Sequence, residues 1–100
     1  MDDLRITLQE TLMDYAGEGL NSYAYLMSNA DDTAFAVIAS ASVHGNPVVN
    51  TGILARVEND MIIIERDMND KQVVDALIQN GIPRDKIILA YAGETVVPSN

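Results

Sequence analysis

No cysteine occurs in this 100-residue chain, so disulfides, thiolate metal sites and thiol catalysis are excluded together. Histidine appears once, at His44, which rules out a multi-histidine metal centre. Lysine and arginine number only six, at positions 5, 56, 66, 71, 84 and 86, and they form no run. Nucleic-acid binding needs clustered basic side chains to neutralise phosphates, so direct binding of nucleic acid is disfavoured. No stretch approaches the roughly 18 consecutive apolar residues of a membrane span. Ala34–Ala39 and Met61–Ile64 have only strand length. The opening Met1-Asp2-Asp3 is acidic where a secretory signal would be basic, and this points to a cytoplasmic protein.

What is present is ordinary for a globular chain apart from its sign. Hydrophobic residues make up 48% and charged residues 21%, which argues against disorder. Fifteen acids give a formal charge of −9. The length suits one domain over residues 1–100, since a compact unit takes roughly 100–200 residues. A domain of this size buries only roughly 60–70% of its unfolded surface, which leaves room for a homodimer or a standing partner.

Leu4, Leu8, Leu12 and Tyr15 recur at helical spacing and predict a helix from about Asp3 to Ala16. Asp2 and Asp3 suit its N-terminus, and Gly17 and Gly19 its end. Tyr23, Tyr25 and Met27 then alternate with Ala24, Leu26 and Ser28, the period of a strand. Asn29 to Asp32 reads as a turn, and Thr33 to Val43 as a second strand whose small residues admit another layer. His44-Gly45-Asn46-Pro47 breaks the pattern. Val48 to Val57 is a third strand, bent at Gly52, and Glu58-Asn59-Asp60 closes a hairpin onto Met61–Ile64. That run is apolar on both faces, as in a central strand. Links this short require an antiparallel meander.

In the last third, Asn69 is placed to cap a helix with Gln72 in a capping-box position. Val73, Val74, Leu77 and Ile78 form its apolar stripe. The helix ends at Asn80, with Gly81 free to turn left-handed and Ile82 packing back on Leu77. Ile87 to Tyr91 is a final strand, and Gly93 to Asn100 a tail. The expected fold is α+β: a helix, a meander of about four strands, a second helix and a last strand, with helices packed on the sheet.

Candidate chemistry is sparse. Glu65 and Asp67, two apart at a strand end, would share a face and could hold a divalent cation or act as acid and base. Set against that, a strand end is ordinarily just solvated, and Arg66 between them points the other way. His44 sits among turn residues, and Ser40 and Ser42 do not form a triad with it by spacing. Gly17-Glu18-Gly19 follows a helix and opens a strand, the reverse of a dinucleotide loop. Tyr23 and Tyr25, on one strand face, suit either half-buried packing or an interface, where tyrosine is enriched.

Val73 to Tyr91, VVDALIQNGIPRDKIILAY, resembles the XisI-like proteins (fdxN element excision controlling factor). Gly81, Ile82, Pro83, Asp85, Ile87, Leu89 and Tyr91 fall on that family's pattern. In the preceding hairpin Val57, Asp60, Ile62, Ile64 and Asp67 match as well, and LRITLQETLMDYA is similar to the family's opening helix. Met61-Ile62-Ile63 stands where the family usually carries Lys-Ile-Trp, and Arg56 where a histidine is common, so the resemblance implies a divergent or shortened member. It implies a cyanobacterial-type protein associated with programmed excision of a DNA element, alongside a recombinase and a nuclease-like companion, XisH. No catalytic residues or cofactors come with it.

The expectation is therefore a non-enzymatic accessory protein without catalytic, cofactor or metal residues, acting through a protein partner of XisH type. Tyr23, Tyr25, Arg66 and Tyr91 are its candidate interface. The alternative is a homodimeric ligand-binding or metal-dependent domain with Glu65, Arg66 and Asp67 near a subunit junction.

Overall fold

The computed structural model describes residues 4–95. The expected capping acids Asp2 and Asp3, and the tail beyond Thr95, lie outside them. Ten elements follow in order: α1 (Leu4–Met13), β1 (Gly17–Gly19), β2 (Ser22–Ser28), β3 (Ala34–Val43), β4 (Asn46–Glu58), β5 (Met61–Asp67), α2 (Val73–Gln79), a 3₁₀ turn (Arg84–Lys86), β6 (Ile87–Leu89) and a second 3₁₀ turn (Ala90–Ala92). The six strands form one sheet in chain order. All neighbours are antiparallel except β5 and β6, which run parallel because α2 carries the chain back between them. This is the expected α+β class with a longer and mixed sheet.

Turn chemistry sets the hairpins. His44 and Gly45 (φ 51° and 81°) join β3 to β4, and Asn59 and Asp60 (φ 54° and 63°) join β4 to β5. Two successive positive φ values make the tight turn whose twist suits flanking strands. Between β2 and β3, the Asn29 side-chain oxygen accepts from the N–H groups of Thr33 (2.9 Å) and Ala34 (3.1 Å). Two bulges interrupt the ladders. Pairing steps from Val37–Ile53 to Ile38–Thr51, leaving Gly52 extra, and from Ala55–Ile64 to Leu54–Arg66, leaving Glu65 extra.

One face of the sheet carries the core. Leu8 and Leu12 of α1, with Val73, Val74 and Leu77 of α2, pack on Phe35, Val37, Ile53, Ala55, Ile62, Ile64 and Ile87. Each fully buried side chain of this kind contributes roughly 1.5–3 kcal/mol. Ile63 is buried on the opposite side of β5, as befits a central strand. Two hydrogen bonds tie the helical layer: Asn80 Nδ2 donates to the buried Thr11 hydroxyl (2.8 Å), and Tyr15 OH donates to Lys71 O (2.8 Å).

Three local expectations change. Gly17–Gly19 is an edge strand paired with Ser22–Ala24, where a bare helix stop was expected. Neither Asn69 nor Gln72 caps α2. Gln72 makes no side-chain cap bond, and Asp67 Oδ2 accepts from Val73 N–H at 2.6 Å instead. The last strand stops at Leu89, so Tyr91 lies on a 3₁₀ turn. The expected helix end is as read: Gly81 has φ 99°, and Ile82 N–H reaches Leu77 O at 3.0 Å.

β6 is an edge strand, and side chains occupy its outward polar groups. Arg84 Nη1 donates to Ile87 O (2.8 Å), Leu89 N–H donates to Glu94 Oε1 (2.9 Å), and Arg84 and Glu94 pair with each other at 2.8 Å. Lys86 pairs with Asp60 (2.8 Å), holding the approach to β6 against the β4–β5 turn.

Candidate interaction surface

Strand length decides what the helices leave open. β4 has 13 residues and β3 has 10, whereas α1 and α2 have 10 and 7. At roughly 3.3 Å per strand residue and 1.5 Å per helix residue, the sheet outruns its helical cover. The other face has no helix on it among the described residues.

That bare face is apolar over β2, β3 and β4. Register places Tyr25 opposite Ile38 and Ile38 opposite Thr51, with Tyr23, Ser40 and Val49 in the next row. Met27, Ala36 and Leu54 form the row on the other side. Tyr23, Tyr25, Met27, Val49 and Leu54 are 50%, 40%, 52%, 60% and 36% exposed. The Tyr23 and Tyr25 rings stack, with centroids 5.6 Å apart and planes at 27°. The period of two in β2 announces the tyrosines and Met27. Val49 and Leu54 differ in parity, and only the Gly52 bulge puts both on one face.

Charges at the rim of this face cancel. Arg56 pairs with Glu58 and, at 3.0 Å, with Glu65. Arg66, opposite Leu54, donates to Thr51 O at 2.7 Å. These two arginines and two glutamates balance at the β4–β5 rim; Glu18, opposite Tyr23 on β1, adds one negative charge to the face, so most of the formal −9 lies elsewhere.

Glu65 and Asp67 do not come together. Strict alternation would put them on one face, but Glu65 is the bulged residue and turns to Arg56, while Asp67 pairs with core Ile53. Asp67 spends both oxygens on N–H donors: Asn69 N (3.0 Å) and Nδ2 (2.9 Å) at one, Val73 N at the other. Among the described residues no group of three or more His, Asp or Glu side chains is placed to hold a metal.

Tyr91 lies apart from Tyr23 and Tyr25. Burial first, then the charges of Asp67 and Asp75, raise its pKa above the ordinary tyrosine value. The same three influences act in the same order on Tyr15. The two phenols thus flank the acidic start of α2, while Tyr23, Tyr25 and Arg66 share the sheet face.

Open grooves border the far end of β1–β4. One of about 450 Å³ is lined by Glu18, Asn21, Ser22, Tyr23, Ser40 and Ser42. Another, of about 490 Å³, extends from Tyr15 over Ala24, Ala39, Val43 and Val48, where the sheet passes beyond the helices. Among the described residues no helix is long and apolar enough to cross a membrane.

Solved structures share this architecture. The chain is similar to the fdxN element excision controlling factor XisI of Anabaena variabilis ATCC 29413, with a TM-score of 0.66 and 21% identity over 87% of this chain and 88% of that one. It is also similar to a XisI-like protein of the same organism, with a TM-score of 0.64 and 15% identity over 86% of this chain and 78% of that one. Comparison with curated proteins yields no match. The family model described as XisI protein matches residues 2–98. A match over nearly the whole length shows that this chain belongs to the XisI protein family.

Proposed function

We propose that this protein is a non-enzymatic accessory factor that helps control excision of a DNA element by binding a protein partner, an XisH-like nuclease or a recombinase. Family membership and the likeness to the Anabaena excision controlling factor XisI support the setting. The observation that carries the mechanism is the partition of charge. Acids such as Glu10, Asp14, Asp70 and Asp75 are exposed around the helical layer, whereas the charges of the bare sheet face largely balance. A basic protein is steered to the helical side by complementary potential, which raises the encounter rate and rejects acidic competitors. A chain of −9 is repelled by the phosphate backbone, so its influence on DNA passes through that partner.

The experiment is co-expression with the XisH-like neighbour and measurement of the complex from 50 to 500 mM salt. The expected result is a complex that survives purification at 50 mM and weakens at least about tenfold by 500 mM, because exposed charges are screened beyond a Debye length. Glu10→Gln/Asp14→Asn/Asp70→Asn is expected to slow association with little effect on dissociation. No complex at 50 mM salt, or one indifferent to both salt and the triple variant, overturns the proposal.

A further inference from the structure

We propose that the bare sheet face is a self-association surface on which a second copy of this chain docks about a two-fold axis. The inference is independent of the proposed excision role, because it concerns the chain alone.

Three observations select a second copy as the occupant. The first is area. Tyr23, Tyr25, Met27, Val49 and Leu54 keep between 36% and 60% of their surface exposed on adjoining strands. Together they offer on the order of 500 Å² of largely apolar surface, at the upper end of what a monomer ordinarily leaves open. With half-buried Ile38 and Thr51 and the polar rim, this approaches the roughly 800 Å² per partner of a stable interface.

The second observation is charge. Two copies of formal charge −9 repel wherever their acids face each other. Among the described residues the sheet face opposes few like charges, because Arg56 and Arg66 balance Glu58 and Glu65 there and Glu18 at the β1 edge is the one further acid. A strongly basic partner finds little to complement there beyond Glu18. The third is shape. Facing sheets pack about 10 Å apart with interdigitated side chains, and a two-fold contact requires just one self-complementary patch. The stacked Tyr23 and Tyr25 are rigid amphipathic anchors of the type that dominates interface energetics.

Sedimentation equilibrium of the full chain between about 1 and 100 µM tests this. The expected mass is twice the 10.9 kDa of the chain at the upper concentrations. Met27→Glu and, separately, Val49→Lys are expected to raise the dissociation constant at least about 30-fold, the mark of an interface hot spot. Circular dichroism melting confirms that each variant is folded; both positions are more than half exposed. Raising salt is expected to leave the dimer unchanged or tighten it, the reverse of the partner complex, because salt screens the repulsion between acidic copies. A chain that remains monomeric at 100 µM overturns the inference. A dimer that both folded variants leave intact overturns it as well, and locates self-association on another surface.

Discussion

Asp67 is the residue whose replacement separates a structural carboxylate from a catalytic one. Its two oxygens accept three N–H bonds, from the Asn69 backbone, the Asn69 side chain and the Val73 backbone, at 3.0, 2.9 and 2.6 Å. The Val73 bond satisfies an otherwise orphaned donor in the first turn of α2, where the helix dipole also favours a negative charge. Loss of an N-cap costs about 0.5–2 kcal/mol, and hydrogen bonds to charged groups are worth about 1.5–3. Asp67→Ala is therefore expected to lower stability by about 2 kcal/mol. For a domain of this size that corresponds to a fall in Tm of roughly 8–16 °C. Asp67→Asn keeps one oxygen for Val73 and is expected to lose about half as much. Glu65→Gln removes only an ion pair whose two side chains are 37% and 38% exposed, and is expected to cost no more than about 1 kcal/mol. Thermal and urea unfolding followed by circular dichroism measure all three. An Asp67→Ala melting temperature within about 2 °C of the parent, or an equal loss in Glu65→Gln, refutes the capping account. A rise in the parent's Tm with Mg²⁺ that Asp67→Ala abolishes would instead restore the cation-binding reading of this strand end.

Two further perturbations test neighbouring devices. The Glu94 carboxyl is held below its ordinary pKa of 4.5, first by the Leu89 N–H and then by Arg84. A folded-state pKa below the unfolded one contributes stability that is present above the unfolded value and is lost as pH falls through the folded one. The Tm gap between the parent and Glu94→Gln is thus expected at pH 7 and should close as acidification passes below 4.5 and through the lowered folded-state value; a gap independent of pH refutes it. Gly81 has φ 99° and open space where a Cβ would project, so Gly81→Ala meets no clash and is disfavoured by backbone conformation alone. The expected loss is about 1–2 kcal/mol in urea unfolding, and an unchanged midpoint counts against the left-handed helix stop.

Features closed by nearby hydrogen bonds were legible in the chain. Gly81 and Ile82 announce the end of α2 because both motif bonds lie within five residues, to Ile78 and Leu77. Asn59 and Asp60 announce a hairpin because the turn type depends on residues that tolerate positive φ. Features set by pairing at a distance were not. The bulge at Glu65 depends on how β5 seats against β4, and it reversed the inference that Glu65 and Asp67 share a face. The cap of α2 comes from a strand residue six positions upstream of Val73, outside the window of a capping box. β1 escaped notice because Gly-Glu-Gly has no hydrophobic alternation. The bare face was half visible, in Tyr23 and Tyr25; Leu54 and Val49 join it only through the shift at Gly52.

The clip of Arg84 and Glu94 across β6 bears on how copies of this chain fail to polymerise. End-to-end growth of a continuous ribbon requires every added molecule to present an unoccupied strand on both flanks. Here one flank has its Ile87 carbonyl and Leu89 amide already spoken for, and the other presents the three-residue β1 beside the run Tyr25–Ser28, which no strand covers among the described residues. A ribbon begun at β2 would thus terminate at the first β6 it exposed. Assembly is steered away from edges toward faces, which close on themselves after two copies, and acid that neutralises Glu94 would remove that safeguard along with the clip.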